Sequence, residues 1–120
     1  MIEETIRRYL VLSARTCSEK PAETAAEVRK HNRAMAQLSK LVAQISENPT
    51  LADAVFGQLL KTQDRKVQLH AAVHCLKYGY HIDQAVCLLE KMMQETNPFL
   101  AFEAEMSLLV WRGGVPGRKL

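Results

Sequence analysis

Long apolar runs and paired cysteines are both missing from this 120-residue sequence. No apolar stretch approaches the ~18 residues that a membrane-spanning helix needs, and the apolar residues 9–12 are too few for the ~7–15-residue core of a signal peptide. The three cysteines, Cys17, Cys75 and Cys87, are odd in number and lack CxxC spacing, so they indicate neither a disulfide framework nor a zinc site. We therefore predict a cytoplasmic chain with no membrane segment, in which the cysteines are small buried hydrophobes.

Aromatic residues make up only 6% of the sequence, whereas helix formers such as Ala, Leu, Met, Glu and Gln are abundant. The balance of 48% hydrophobic and 24% charged residues is that of a globular protein. A chain of this length has room for one hydrophobic core, so we predict a single domain over residues 1–112. Residues 113–120, which contain three glycines and a proline, are predicted to be a flexible C-terminal tail.

Capping residues and prolines mark helix starts, and glycines mark helix ends. The starts are marked by Asn48 with Pro49, by Asp64 and by Asn97 with Pro98, and the ends by Gly79 and Gly113. Six α-helices and no strands are predicted from these marks, over residues 2–17, 22–46, 49–61, 65–78, 82–96 and 98–112.

Apolar residues spaced three and four apart give each helix one predicted buried face. The predicted faces are Ile2, Ile6, Tyr9, Leu10 and Ser13 on the first helix; Val28, His31, Met35, Leu38, Val42 and Ile45 on the second; Ala52, Val55, Phe56, Leu59 and Leu60 on the third; Val67, Ala71, Cys75 and Leu76 on the fourth; and Ala85, Val86, Leu89, Met92 and Met93 on the fifth.

The third and fourth helices match the fifth and sixth helices when they are moved along the sequence until Asp64 falls on Asn97. We call this displacement the repeat offset. Matched pairs include these two caps, Phe56 with Leu89, Leu69 with Phe102, Ala71 with Ala104 and Leu76 with Leu109. Two helical hairpins with one buried pattern favour neighbouring units of an α-solenoid, and the run Asp64, Val67, Ala71, Ala72, Leu76 looks like that of a HEAT-type repeat. An irregular helical bundle stays open as the alternative.

Candidate catalytic chemistry is sparse. His70 and His74 are one helical turn apart, a spacing that can place two imidazoles on a metal ion. The run between them lacks the glutamate of a HExxH metalloprotease, so we interpret them as histidines of a partly exposed repeat helix. Glu103 and Glu105 lie on nearly opposite sides of their helix and cannot act as a carboxylate pair. No phosphate-binding loop, nucleophile elbow or dinucleotide fingerprint occurs, so we predict a protein that is not an enzyme and needs no metal or cofactor.

Basic residues exceed acidic ones only slightly, 16 Lys and Arg against 13 Asp and Glu, for a net charge of +3. The cluster over residues 29–33 fans around its helix, and Arg7 and Arg8 look similarly scattered. Nucleic-acid recognition usually combines a basic face with stacking aromatics or a known reading module. Because neither is present, solvated helix faces are favoured over a nucleic-acid site.

From residue 4 to residue 114 the sequence resembles a bacterial family of small HEAT-like helical domains. The resemblance is carried by residues 8–10 (Arg-Tyr-Leu), residues 31–33 (His-Asn-Arg), the run from Asp64 to Leu76, and residues 102–106 (Phe-Glu-Ala-Glu-Met) with Leu109, Trp111, Arg112 and Gly113. Two positions depart from the family pattern, Gln68 where arginine is usual and His70 where an aromatic is common.

The resemblance implies an all-α, six-helix α-solenoid that acts as a binding scaffold, and the family carries no catalytic residues to transfer. Similar small helical proteins serve in bacterial toxin–immunity systems, where they bind and block a secreted or contact-delivered toxin. We therefore predict a protein partner, with an immunity protein as the most specific form and a HEAT-like nucleic-acid-binding or adaptor protein as the alternative. The predicted contacts lie on the second helix of each hairpin: Arg65, Gln68, His70, His74, Glu103 and Ser107.

Overall fold

The computed structural model of the chain describes residues 2–16 and 24–113, and over these ranges it contains six α-helices and no strand. The helices are α1 Ile2–Thr16, α2 Ala25–Ser46, α3 Pro49–Leu59, α4 Arg65–Tyr78, α5 Ile82–Met92 and α6 Pro98–Trp111. The all-α class and the predicted number of helices are confirmed for this part of the chain. Helices α3 and α5 end earlier than predicted, because the residues before Asp64 and Asn97 form turns that bring these caps into extended backbone conformation. None of the described helices has both the length and the apolar character needed to cross a membrane.

The chain divides into two compact units, unit 1 (Met1–Val55) and unit 2 (Phe56–Leu120), with the boundary inside α3. In unit 1, α1 packs against α2. Helix α1 buries Tyr9, Ser13 and Thr16, and the Thr16 hydroxyl donates a hydrogen bond to the Ser13 carbonyl oxygen at 2.8 Å. The predicted face is correct for Tyr9 and Ser13 but wrong for Ile2 and Leu10, which are exposed. Leu10 is turned about 100° from Tyr9 on the helix, away from the buried stripe.

Helix α2 begins at Ala25 behind the N-cap Thr24, whose hydroxyl accepts a hydrogen bond from the Glu27 backbone N–H at 3.1 Å. The predicted start at residue 22 lies outside the described residues. Residues 24–30 are all exposed, so the predicted burial of Val28 is wrong, and Met35, at the edge of the buried face, is 42% exposed. The residues of α2 that are buried are Ala34, Leu38, Leu41, Val42 and Ile45.

In unit 2, α4, α5 and α6 pack against one another. The buried faces predicted for α3 and α4 are confirmed. On α5 the prediction is correct for Ala85, Leu89 and Met92, whereas Val86 is half-buried and Met93 is exposed because the helix ends at Met92 and the chain turns there. Cys75 is buried as predicted, Cys87 is exposed against the prediction, and Cys17 lies outside the described residues.

The repeat extends to the helix ends. Both bounds of α5 follow those of α3 by the repeat offset, and both bounds of α6 follow those of α4 in the same way. The caps match as well, since Asp64 has φ −77° and ψ 112° and Asn97 has φ −75° and ψ 110°. Each side-chain oxygen accepts hydrogen bonds from the backbone N–H groups two and three residues ahead, at 3.0 and 3.3 Å for Asp64 and at 3.0 and 3.4 Å for Asn97. The predicted caps are therefore confirmed, and so is the left-handed conformation of Gly79 (φ +82°) and Gly113 (φ +77°).

Candidate protein-binding surfaces

Two of the predicted contact residues, Arg65 and Gln68, are engaged within unit 2. The Arg65 guanidinium donates a hydrogen bond to Gln68 Oε1 at 2.9 Å and forms an ion pair with Glu95. The Gln68 amide in turn donates to the Leu60 carbonyl oxygen at 3.2 Å. This network ties the first turn of α4 to the turn before it and to the connection between α5 and α6, so both side chains have a structural role where they lie.

His70 and His74 lie on the side of α4 opposite Arg65 and Gln68, because at about 100° per residue each histidine is turned by about 120–180° from both of these residues. Both histidines are half-buried. Desolvation by burial lowers the pKa of His70, and the carboxylate of Asp64 offsets part of this effect. Burial, and then the nearby charges of His70 and Lys77, lower the pKa of His74 to about 3. The imidazole of His74 is therefore neutral at physiological pH.

Glu103 and Ser107 occupy on α6 the positions that His70 and His74 occupy on α4, one repeat offset earlier. They too are half-buried, and α4 and α6 pack together. The structure thus places four of the six predicted contacts at equivalent sites and the other two on the far side of α4. A role in partner binding remains a prediction for all six. No group of three or more His, Cys, Asp or Glu side chains in the described ranges could hold a metal ion.

A stripe of apolar residues covers the outer side of α6. We call Phe99, Phe102, Met106 and Leu109 the α6 stripe; they fall within about 80° of the helix circumference at 100° per residue. Phe99 and Phe102 are more than half exposed. The opposite side of α6 is apolar as well, since Leu100, Ala104 and Leu108 are buried there. A helix that is apolar on both sides is normally covered on both sides.

Helix α4 is apolar at three of the four corresponding positions, with Lys66 in place of Phe99, and the side that carries them is largely covered. Leu69 and Leu76, the counterparts of Phe102 and Leu109, are each 4% exposed, whereas Phe102 is 55% and Leu109 is 38% exposed. Both α5 and α6 pack against α4. The α6 stripe therefore has, in position and chemistry, the character of a surface on which a further helical element packs.

The two sides of the α6 stripe are lined by carboxylates. Glu105 lies beside Leu109 and Glu103 lies beside Phe99, about 40° away in each case. Glu105 is exposed and Glu103 is half-buried. Over residues 2–16 and 24–113, neither carboxylate forms an ion pair. The basic residue at the end of α6, Arg112, is paired instead with Glu90 of α5, at 3.3 Å.

A second candidate surface is a groove of about 530 Å³ between α1 and α2 in unit 1, which we call the basic groove. Among the described residues that line it are the four cationic side chains of Arg7, Arg8, Arg15 and Lys40, and none of these lining residues is a carboxylate. The other lining residues are Val11, Leu12, Gln37, Leu41 and Gln44. None of the four cations forms an ion pair with another described residue. As far as the described residues go, the basic groove thus combines an apolar floor with a positive rim.

Sequence reasoning missed both surfaces. It treated Arg7 and Arg8 as scattered, although their spacing to Arg15, eight and seven residues, places all three on one side of α1. The exposure of Phe99 and Phe102 was not predicted, because apolar residues follow both sides of α6 in the sequence. At the N-terminus of α2, Thr24 followed three residues later by Glu27 is the sequence signature of a capping box.

In comparisons of the chain with known proteins, no family model, no curated protein and no solved structure matches it.

Proposed function

We propose that this chain is a non-enzymatic protein-binding module in which the α3–α4 and α5–α6 hairpins are consecutive HEAT-like repeats of an α-solenoid. Equal helix lengths, equal cap geometry and shared buried positions support the assignment of the two hairpins as repeats. Solenoid repeats bury their faces by stacking on neighbours. The last hairpin presents its stacking face to the outside, and we assign protein binding to that face.

The single observation that carries the proposal is the exposure of Phe102 and Leu109, where the preceding repeat has Leu69 and Leu76 buried. Within unit 2, the elements that pack on α4 are the helices α5 and α6. The partner that fits the α6 stripe is therefore a helix or helical hairpin with an apolar face. Complete burial of an exposed phenylalanine or leucine side chain contributes about 1.5–3 kcal/mol, and the partly exposed stripe residues gain a fraction of that each on contact.

The most specific form of the proposal is an immunity protein that binds and neutralises a cognate bacterial toxin. A rigid helical scaffold can change its surface residues without disturbing its buried ones, which suits recognition of one toxin among many. In this form the α6 stripe contacts the toxin domain, and the complex forms with fixed stoichiometry.

The test places a photo-cross-linking benzoylphenylalanine at Phe102 and, as a control, at Gln84, an exposed residue of α5. A partner that cross-links from position 102 and not from position 84 is purified and titrated against the parent chain, the Phe102→Asp variant and the Gln84→Asp variant. We expect Phe102→Asp to weaken binding at least tenfold, because it places a charge in an apolar contact, while Gln84→Asp binds like the parent.

Circular dichroism and thermal unfolding of the Phe102→Asp variant establish that it is folded. Equal binding by the parent and by Phe102→Asp would refute the α6 stripe as the contact surface. For the immunity form, the purified partner is a toxin whose activity the parent chain suppresses at a one-to-one ratio and the Phe102→Asp variant does not. A partner with no toxic activity would refute that form and leave the binding module intact.

A further inference from the structure

We propose that the basic groove of one molecule receives the α6 stripe of a second copy of this chain, so that copies associate head to tail. This inference rests on the proposed function, because it names the occupant of the α6 stripe when no foreign partner is bound there. The two surfaces lie in different units of the chain, and the contact is made between molecules.

The floor of the basic groove supplies the apolar half of the contact. Val11 is 45% exposed, Leu12 is half-buried and Leu41 is buried, and all three line the groove. The α6 stripe brings aromatic and aliphatic side chains that are exposed in the free chain. Burial of both sets removes apolar surface from water, which is the main favourable term in association.

The rims supply the electrostatic half. Arg8, Arg15 and Lys40 border the groove, and Glu103 and Glu105 border the α6 stripe. On both surfaces these charges lack an ion-pair partner among the described residues. Opposite signs on the two rims raise the rate of encounter and fix the register of the contact.

The same charges argue against a symmetric dimer. Two α6 stripes facing each other would bring the carboxylates of Glu103 and Glu105 from both copies together, and two basic grooves would bring cations together. Like charges in an interface are destabilising. The favoured contact therefore pairs unlike surfaces, and such a contact extends into chains or closes into rings as concentration rises.

Nucleic acid fits the groove less well than a second copy does. No aromatic side chain is among the described residues that line the groove, although stacking on aromatic side chains is the usual means of binding single strands. An apolar floor of valine and leucine gives nothing to a phosphate backbone, whereas it matches the apolar α6 stripe. Because one helix face buries less than the roughly 800 Å² per partner of a standard interface, the association is weak and depends on concentration.

The test uses two variants that each lose one surface. The groove variant is Arg8→Glu with Arg15→Glu, and the stripe variant is Phe102→Asp with Leu109→Asp; all four residues are exposed. The parent is expected to gain mass with concentration in sedimentation velocity experiments, while each variant alone stays monomeric. An equimolar mixture of the two variants is expected to form a one-to-one heterodimer, because one variant keeps its stripe and the other keeps its groove.

The matched control is Lys61→Glu with Lys91→Glu, which makes the same change in net charge as the groove variant at exposed residues of unit 2 and is expected to associate like the parent. A parent chain that stays monomeric up to its solubility limit overturns the inference, and so does a mixture of the two variants that forms no heterodimer. Binding of a fluorescent oligonucleotide that the groove variant loses, in a parent that does not self-associate, assigns the groove to nucleic acid instead.

Failure of the second-copy inference is distinguishable from failure of the proposed function. If the parent is monomeric and a cross-linked partner protein still binds through Phe102, only the second-copy inference fails. If the parent self-associates through Phe102 and no other protein depends on that residue, the α6 stripe serves self-association, and a module for a foreign partner is refuted.

Discussion

The neutral His74 of α4 makes the stability of the fold depend on pH. Its pKa is about 3 in the folded chain and 6.5 in an ordinary environment. Between pH 7 and pH 5 the unfolded chain therefore takes up a proton at this residue that the folded chain does not. The free energy of unfolding falls by about 2 kcal/mol over this interval from His74 alone, at up to about 1.36 kcal/mol for each pH unit.

The direction of this effect follows from the sign of the pKa change. A folded-state pKa below the unfolded value stabilises the fold fully at pH values above 6.5, and the stabilisation is lost progressively as pH falls toward 3. The lowered pKa of His70 acts in the same direction. Replacing His74 by glutamine, a neutral polar residue, removes the proton uptake and is expected to reduce the stability difference between pH 7 and pH 5 by about 2 kcal/mol.

Urea unfolding at pH 7 and pH 5, followed by circular dichroism, measures this difference for the parent and for His74→Gln. Ser107→Gln is the matched control, because it makes a substitution at the equivalent position of α6 without removing a titratable group. It is expected to keep the parent's pH difference. If His74→Gln keeps the full pH difference as well, the imidazole is not held neutral by the fold and the reasoning is wrong.

Further predictions concern the repeat and its glycines, and urea unfolding checks each of them. Asp64→Ala and Asn97→Ala each remove a cap that holds two backbone N–H groups, and each is expected to cost about 1 kcal/mol of stability; losses that differ by more than about twofold would contradict the equivalence of the two hairpins. Gly79→Ala places a side chain at φ +82° and is expected to destabilise the chain by about 1 kcal/mol. Gly57→Ala adds a methyl group inside α3, where the nearest neighbouring atom, His81 Nε2, is 3.4 Å away; it is expected to stabilise by roughly 0.5–1 kcal/mol, and a loss of stability would show that the His81 ring cannot accommodate the methyl group.

The parts of the fold set by local chemistry are the parts that sequence reasoning predicted well. Asp64 and Asn97 cap helices because their short side chains reach backbone N–H groups two and three residues ahead, a property that is independent of tertiary packing. The left-handed Gly79 follows from the same local logic. The buried faces of α3 and α4 were also predictable, because these helices are covered on the sides where their apolar residues lie.

The predictions of burial were wrong where burial depends on a second element that packs against the helix. Val28 follows the helical period of α2, yet no described element covers the first turns of that helix. Phe102 and Leu109 match buried residues of the previous repeat, but no following hairpin covers them among the described residues. Periodicity gives the side of a helix on which apolar residues lie, whereas exposure depends on neighbours that a single helix does not encode.

In the candidate surfaces, too, some features follow from the local sequence and others from tertiary packing. Residue type and spacing identified His70 and His74 as neighbours, but only packing makes His74 unable to accept a proton near neutral pH. The spacing of Arg7 and Arg8 with Arg15 was readable on α1, whereas Lys40 joins them only because α2 lies alongside. Contacts between distant parts of the sequence therefore account for most of what sequence reasoning missed.

The matching lengths of the two hairpins determine which insertions and deletions the fold can accommodate. Both hairpins have first helices of 11 residues and second helices of 14 residues, so the block over residues 49–81 carries one complete hairpin with its connection. Duplicating or deleting a whole block keeps every remaining helix in phase with its neighbours, whereas a partial block rotates the apolar faces away from their partners by about 100° for each residue gained or lost within a helix. Natural variants of this architecture are thus expected to differ in length by whole blocks, with smaller insertions confined to the turns.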